Sequence, residues 1–298
     1  MQIVIFGSSG FVGKNLINSH KDFDLILPSL RNSDWANGLN DASVFINLVG
    51  KAHDHKGTAT EQDFRYANVE LAKEIFNEFL KSNANLIIHI SSIAALEEFE
   101  SQNPLREEDE CHPFSSYGKT KREAEEWLLQ QNLPEKKKLI ILRPPMVHGE
   151  GDKGNLGLLY KLISKGIPYP LASFDNKRSF ISIDNFSYFI NQIIENKELL
   201  ENGIYHISDD EAVSTKEIIE IIKKVENNNT LNLSLPKVLV KFLAKIGDII
   251  PLPLNTKRLK KMTGNLEVSN QKIKNALGIT QLPISAKKGI EITIKSFK

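Results

Sequence analysis

The chain has 298 residues, 41% of them hydrophobic, with 38 basic and 37 acidic side chains and a net charge of +1. That length can bury a sizeable core and a cleft, and so even a balance of charge excludes a general pull toward nucleic acid or a membrane surface. Cys111 is the single cysteine, no apolar run has membrane-spanning length, and a strand begins within three residues of Met1, so we expect a cytoplasmic protein without disulfides or a leader.

The first thirteen residues read as a buried strand, Ile3 to Phe6, that breaks into Gly7-Ser8-Ser9-Gly10-Phe11-Val12-Gly13 and feeds a helix over Phe11–Ser19. Glycines at this turn remove the Cβ atoms that would keep a ligand from the backbone. The helix N-terminus behind them offers unpaired N–H groups and a positive dipole end, which suits a pyrophosphate. The spacing is G-x-x-G-x-x-G, and a turn serving only strand–helix packing would look the same. Residues 24–28 form the second strand and lead into Ser29 and Arg31. An acid at that point would bind the ribose 2′-hydroxyl of NAD; with none present, Ser29 and Arg31 favour the 2′-phosphate of NADP(H), NAD(H) staying open.

Residues 33–43 are too few for another helix and strand, so the third strand is short or missing. Residues 44–49 are a buried strand whose carboxyl edge, Leu48, Val49 and Gly50, should lie beside the cofactor. His53 and His55 follow in a loop. Without a cysteine or a further histidine cluster we read no metal there, only a polar active-site loop. Residues 61–82 have the apolar spacing of one amphipathic helix, with Asn68 inside it. Leu86–Ile90 is a strand ending at Ser91-Ser92, and the acid-rich loop that runs to Pro113 reads as solvated. A helix over 116–131 carries Tyr117, residues 139–142 are a strand running into Arg143-Pro144-Pro145, and residues 204–207 are the last clear strand. Helices are expected at 215–225, 236–250, 256–262 and 269–277, the last with Ser269 as its N-cap.

Strands alternating with helices to about residue 145 predict an α/β fold, a Rossmann-like doubly wound parallel sheet with a smaller, mostly helical C-terminal substrate domain. The boundaries are 1–150 for the dinucleotide-binding domain, with its last strand from about 203–208, and 151–298 for the substrate region. Tyr117 and Lys121 stand four residues apart on one helix face, where a cation lowers a phenol pKa toward working pH. Ser92 closes a strand at the same sheet edge and can share a substrate oxygen with that phenol.

These features together resemble the extended short-chain dehydrogenase/reductases, the NAD-dependent epimerase/dehydratase family acting on nucleotide sugars, over nearly the whole chain. Gly7, Gly10 and Gly13 match its glycine motif, with Phe11 and Val12 between them. Ser92, Tyr117 and Lys121 match its catalytic set, and Asn68 its helical asparagine. The segment containing Pro144 and Val147 resembles the one that passes the nicotinamide. Asn155-Leu156 and Arg178 resemble substrate motifs in which an asparagine and an arginine hold the sugar-nucleotide diphosphate, and His53 lies in the loop expected to meet the sugar. The resemblance implies hydride transfer at a sugar carbon, with Tyr117 moving the proton, Lys121 holding the ribose and Ser92 orienting the oxygen. It also implies a homodimer in which the Tyr117 helix and the 61–82 helix meet their partners.

Ser92 is followed by Ile93-Ala94-Ala95, without the acidic pair that a dehydratase carries. The leading expectation is a 4-ketoreductase of a UDP-linked, N-acetylated deoxyhexose. A UDP-hexose 4-epimerase and a cofactor-binding regulator without turnover remain as alternatives.

Overall fold

Isoleucines, valines and phenylalanines in unbroken runs form strands buried on both faces, as a parallel sheet between two helix layers requires. The computed structural model describes residues 1–19, 22–52, 58–152, 154–169, 171, 173–227, 235–250 and 255–298. In chain order the elements begin β1 (Gln2–Phe6), α1 (Phe11–Ser19), β2 (Asp24–Ile26), β3 (Val44–Asn47), α2 (Glu61–Arg65), a π turn (Tyr66–Glu70) and α3 (Leu71–Lys81). They continue with β4 (Leu86–Ile90), α4 (Ser116–Leu129), β5 (Lys138–Arg143), β6 (Met146–His148), α5 (Asn155–Ser164), β7 (Phe180–Ser182), α6 (Ile183–Glu195) and β8 (Gly203–His206). The remainder is helical: α7 (Thr215–Glu226), α8 (Lys237–Gly247), α9 (Thr256–Thr263), α10 (Gln271–Leu277) and α11 (Ala286–Lys295).

Six parallel strands stand in the order β2-β1-β3-β4-β5-β8. The order reverses at β1, which opens the crevice at the carboxyl ends of β1 and β3 where such sheets bind ligands. One face, with Ile5, Ile46, Ile88 and Leu142, is covered by α1, α6 and α10. The other, with Phe6, Phe45, Ile87 and Ile141, is covered by α3 and α4. No strand forms between β2 and β3 among the described residues; Leu30, Trp35 and Leu39 pack there instead, with Trp35 edge-on to Phe6 at 5.8 Å. A second core gathers α5, α7, α8, α9 and α11 around Phe180, and the two-stranded sheet β6-β7 joins it to the first.

The structure corrects several expectations. The helix expected over 61–82 starts at the capping box Thr60–Asp63 and is broken by the π turn before α3. Asn270 stands at the N-cap position of α10 without a side-chain cap bond, and the Ser269 hydroxyl accepts from the Gln271 N–H at 3.3 Å. Glu107, read as solvated, accepts from the His206 N–H at 2.7 Å, and burial raises its pKa. Helices α5, α6 and α11 and the pair β6-β7 were not expected. Helix α6 hides behind the strand-like Phe180-Ile181-Ser182, and its start is set locally by the Ser182 hydroxyl, which accepts from the Asn185 N–H.

Candidate active site

The chain leaves β1 through Gly7, at φ +80°, a backbone region that favours glycine. The Gly7 carbonyl accepts from the Gly10 N–H at 3.1 Å, and α1 begins at once. A Cβ at Gly13 would lie 2.5 Å from that carbonyl oxygen and 2.7 Å from Ser8 Cα; one at Gly7 would lie 3.0 Å from the Leu48 carbonyl carbon. The turn is thus clamped between α1 and the end of β3, with the first-turn N–H groups of α1 at the crevice. Val12 packs on the sheet core, and Phe11 reaches the loop after β6, where a Cβ at Gly149 would lie 3.5 Å from its Cζ. Beyond β2, Ser29 accepts from the Asn32 N–H in a turn that leaves both Ser29 and Arg31 exposed.

At the end of β3 the Leu48 N–H donates to the Phe6 carbonyl and the Val49 N–H to Asn47 Oδ1 at 3.0 Å. Asn47 bonds His89 Nδ1 at 3.1 Å, and burial, reinforced by the Lys121 charge, holds this imidazole well below its usual pKa. A Cβ at Gly50 would meet Asn68 Oδ1 and Lys121 Nζ, each at 2.9 Å. Asn68 is fully buried inside the π turn. Its side chain accepts from the Lys51 N–H at 2.8 Å and donates to the Lys51 carbonyl and to Thr120 Oγ1. A poor helix former is there because its amide satisfies the backbone of the loop beside it.

Three groups converge beyond Gly50. Ser92, in extended backbone after β4, caps a short turn over Ile93–Ala95. It also hydrogen-bonds the half-buried Tyr117. Burial pushes the phenol pKa up, the Ser92 bond opposes this, and the charges of Glu98 and Glu125 add to the rise. The Lys121 ammonium donates to the Ile90 carbonyl at 2.9 Å. Burial lowers Lys121 itself to about 8, against a smaller raising effect of Glu125.

Two carboxylates that sequence reasoning passed over fix the helix carrying this set. Glu98 accepts from the N–H groups of Phe114 and Ser115, at 3.1 and 2.6 Å, where α4 begins, and is approached by Lys261. Its burial raises the pKa, but these hydrogen bonds and Lys261 outweigh it and leave the carboxyl low. Glu125, fully buried two turns along, accepts from Arg143 Nε and Nη2 at 2.8 and 2.6 Å and from the Ser91 hydroxyl at 2.5 Å. The available signal was Arg143 itself: a charge ending an otherwise apolar buried strand demands a buried acid.

The residues expected along the nicotinamide and around the substrate come from several elements. Pro144 is buried and its carbonyl accepts from the Ile93 N–H, while Val147 packs against the sheet core. Asn155 is exposed at the start of α5, and the side chain of Leu156 is in the second core. Arg178 donates from Nη1 to the carbonyls of Phe99 and Gly264, both at 3.1 Å, and burial lowers its pKa to about 10. No carboxylate among the described residues pairs with it. His53 lies outside the described residues.

A family model described as the RmlD substrate binding domain matches residues 1–238. The chain is 28% identical over 322 residues to the UDP-glucose 4-epimerase of Vibrio cholerae, covering 99% of this chain and 95% of that protein. It is 25% identical over 300 residues to the N-acetyl-alpha-D-glucosaminyl-diphospho-ditrans,octacis-undecaprenol 4-epimerase of Escherichia coli O157:H7, covering 94% and 86%. Among solved structures, UDP-glucuronic acid 4-epimerase from Bacillus cereus in complex with NAD superposes with a TM-score of 0.78 at 17% identity, over 100% of this chain and 98% of that one. RMD from Pseudomonas aeruginosa complexed with NADPH gives 0.76 at 15% identity, over 100% and 99%. These likenesses establish the Rossmann-like fold.

Proposed function

The chain belongs to the RmlD substrate binding domain family, within the NAD-dependent epimerase/dehydratase group of extended short-chain dehydrogenase/reductases, and from that premise we propose that it transfers hydride at C4 of a nucleotide sugar. The observation that carries this reading is the convergence of Ser92, Tyr117 and Lys121 at one sheet edge beside Gly50 and Asn68. The glycine turn fits a dinucleotide, since Gly7 and Gly13 admit no Cβ and α1 presents its N-terminus. Gly7, Gly10, Phe11, Val12 and Gly13 would hold the pyrophosphate, and Ser29 and Arg31 the adenosine end. Leu48, Val49, Gly50, Asn68, Pro144 and Val147 would border the nicotinamide half. When bound, a nicotinamide supplies or accepts the hydride.

The chain's own residues handle the proton and the charge. Ser92 orients the sugar oxygen and Tyr117 transfers its proton, while Lys121, held in place by the Ile90 carbonyl, binds the ribose and adds positive potential. Arg178, with no carboxylate partner among the described residues, supplies a cation for the diphosphate, assisted by Asn155 at the head of α5 and Leu156 beside it. The substrate region, 151–298, would therefore hold the nucleotide and dinucleotide chemistry would stay with 1–150 and β8. Dehydration is disfavoured because Glu97 and Glu98 are both committed. Glu97 accepts from the N–H groups of Glu98 and Phe99, and Glu98 from those of Phe114 and Ser115.

The lead reading is a 4-ketoreductase using NADPH, supported by Arg31 and by the absence of a carboxylate from residue 25 to residue 33. The second reading, a UDP-hexose 4-epimerase, is supported by two of the curated relatives, which are 4-epimerases. Incubation with UDP-linked hexoses and their 4-keto derivatives, followed by cofactor absorbance and product analysis, separates them. Net NADPH oxidation with a 4-keto sugar is the expected result; interconversion of hexoses without net change favours the epimerase. Tyr117→Phe should lose turnover about 10²-fold or more while keeping cofactor affinity. Tight cofactor binding with no turnover of any sugar nucleotide would leave a regulator.

A further inference from the structure

Helix α8 is built the wrong way round for a core helix. The side chains it turns to the second core are the small ones, Val240 and Ala244, while its large ones face outward. Val238 is 80% exposed, Phe242 60% and Ile249, just past the helix end, 87%. At about 100° per residue this row lies opposite Val240 and Ala244, and the exposed Leu239, Leu243 and Ile250 widen it. Lys237, Lys241 and Lys245, four residues apart, form a stripe along one flank of the apolar arc. Between residues 235 and 264 the sequence holds seven basic residues and one acid, Asp248, a local balance of +6 in a chain whose total is +1. The near-neutral composition conceals this concentration.

We propose that the outer face of α8, with its lysine flank, is a docking surface for an anionic lipid bilayer, entered to the depth of the headgroups and upper acyl chains. The arrangement is that of a helix lying in the membrane interface: a broad apolar arc with lysines at its border to meet lipid phosphate. No helix among the described residues is long and apolar enough to cross a membrane, so the contact is peripheral. Charge selects a bilayer over a second copy of the chain. A two-fold contact through this face with the two copies of α8 antiparallel would set their lysine stripes against each other, and none of Lys237, Lys241 and Lys245 has a carboxylate partner among the described residues.

The surface is coupled to the candidate site. Asp248, at the end of α8, accepts from the Thr256 N–H at 2.9 Å where α9 begins, and Lys261 of α9 pairs with Glu98 at the head of α4. The same chain of contacts links the docking face to Glu98, which holds the start of the helix that carries Tyr117. The docking surface does not depend on the proposed chemistry.

The test is co-sedimentation of the full chain with vesicles of phosphatidylcholine, with and without phosphatidylglycerol at about a third of the lipid. The chain should partition onto the anionic vesicles and weaken as salt rises. Phe242→Ser with Ile249→Ser should lower the partition coefficient about tenfold or more, with turnover of a soluble nucleotide sugar unchanged. Lys241→Gln with Lys245→Gln, fully solvated changes that keep the test available if the serine variant folds poorly, should erase most of the preference for anionic lipid. A wild-type chain that stays in the supernatant with both vesicle types overturns the proposal. So does partition unaffected by either pair of substitutions. A dimer in sedimentation velocity that Phe242→Ser dissolves, with no vesicle binding, assigns the face to a second copy and overturns it as well.

Discussion

Gly118→Ala tests whether the contact between α4 and the turn after Ser92 sets the geometry of the site. A Cβ at Gly118 would run into the Ala94 carbonyl oxygen and lie 2.7 Å from Glu98 Oε1, where ordinary contact begins near 3.4 Å. Neither neighbour is free to yield. The Ala94 turn is pinned by the Ile93 N–H to the Pro144 carbonyl and by the Ala94 N–H to Ser92 Oγ, and Glu98 is held by two N–H groups of the α4 cap. The helix must therefore retreat, by roughly 1 Å, and take the Tyr117 hydroxyl away from Ser92. Overpacking costs about 1–3 kcal/mol, while alanine in place of a helical glycine returns about 1 kcal/mol, so the net loss of stability is small. A misplacement of about 1 Å at the reacting groups is worth about 10²-fold in rate. The expected outcome is a kcat about 10²-fold lower, with thermal midpoint and cofactor affinity nearly retained, read by turnover, calorimetry and titration. In Gly157→Ala the Cβ would stand 3.6 Å from the Asp152 carbonyl oxygen, ordinary contact, and stability should rise by up to about 1 kcal/mol. A Gly118→Ala protein with kcat within threefold of wild type would refute the reasoning.

Arg31→Asp should weaken NADPH binding at least tenfold more than NADH binding in calorimetric titration; equal effects would make Arg31 a bystander. Arg143→Met leaves Glu125 charged and buried without its two-pronged partner and should cost about 3–5 kcal/mol in urea denaturation. The double change Arg143→Met, Glu125→Leu should recover most of that loss, and simple additivity of the two single changes would show the pair is not coupled. Lys121 offers a test in pH. Burial holds it at about 8 where an exposed lysine stands at 10.5, so the folded chain releases that proton first. The stability that this buried cation removes is missing in full below about pH 8 and returns as pH rises through about 8 toward 10.5. Lys121→Met should be more stable than wild type at pH 7, with the advantage shrinking across that window; a constant difference from pH 7 to 10.5 would contradict it.

Most of the sheet was legible because burial on two faces writes itself as unbroken apolar runs. Helix α1 and strand β4 fall on their expected bounds, and the gap between β2 and β3 was visible simply as too few residues for a crossover and a strand. Ser92, Tyr117 and Lys121 could be found because each stands at a local landmark, a strand end or one face of a helix. What escaped depends on partners far away in sequence. The π turn around Asn68 is stabilised by Lys51 and Thr120, 17 and 52 residues off, and no periodicity encodes that. Helix α6 escaped for the opposite reason, its aromatic and β-branched residues reading locally as a strand until the Ser182 cap imposes the helix.

Helix α4 shows why the expected chemistry of the phenol needed the structure. Tyr117, Lys121 and Glu125 succeed one another at four-residue steps along its inner face, so sequence places a cation between a phenol and a carboxylate. The fold gives each of them its own hydrogen-bond partner. Arg143 and Ser91 take the Glu125 carboxylate, and the Ile90 carbonyl takes the Lys121 ammonium; Ser92 takes the Tyr117 hydroxyl. Lys121 Nζ stands beside the backbone of Gly50, where a Cβ would lie 2.9 Å from it, at the edge of the crevice that opens between β1 and β3. Its charge is placed to meet a group entering that crevice. Any larger residue at Gly50 would displace Lys121 and Asn68 together, which makes that glycine as much a part of the site as the two side chains it admits.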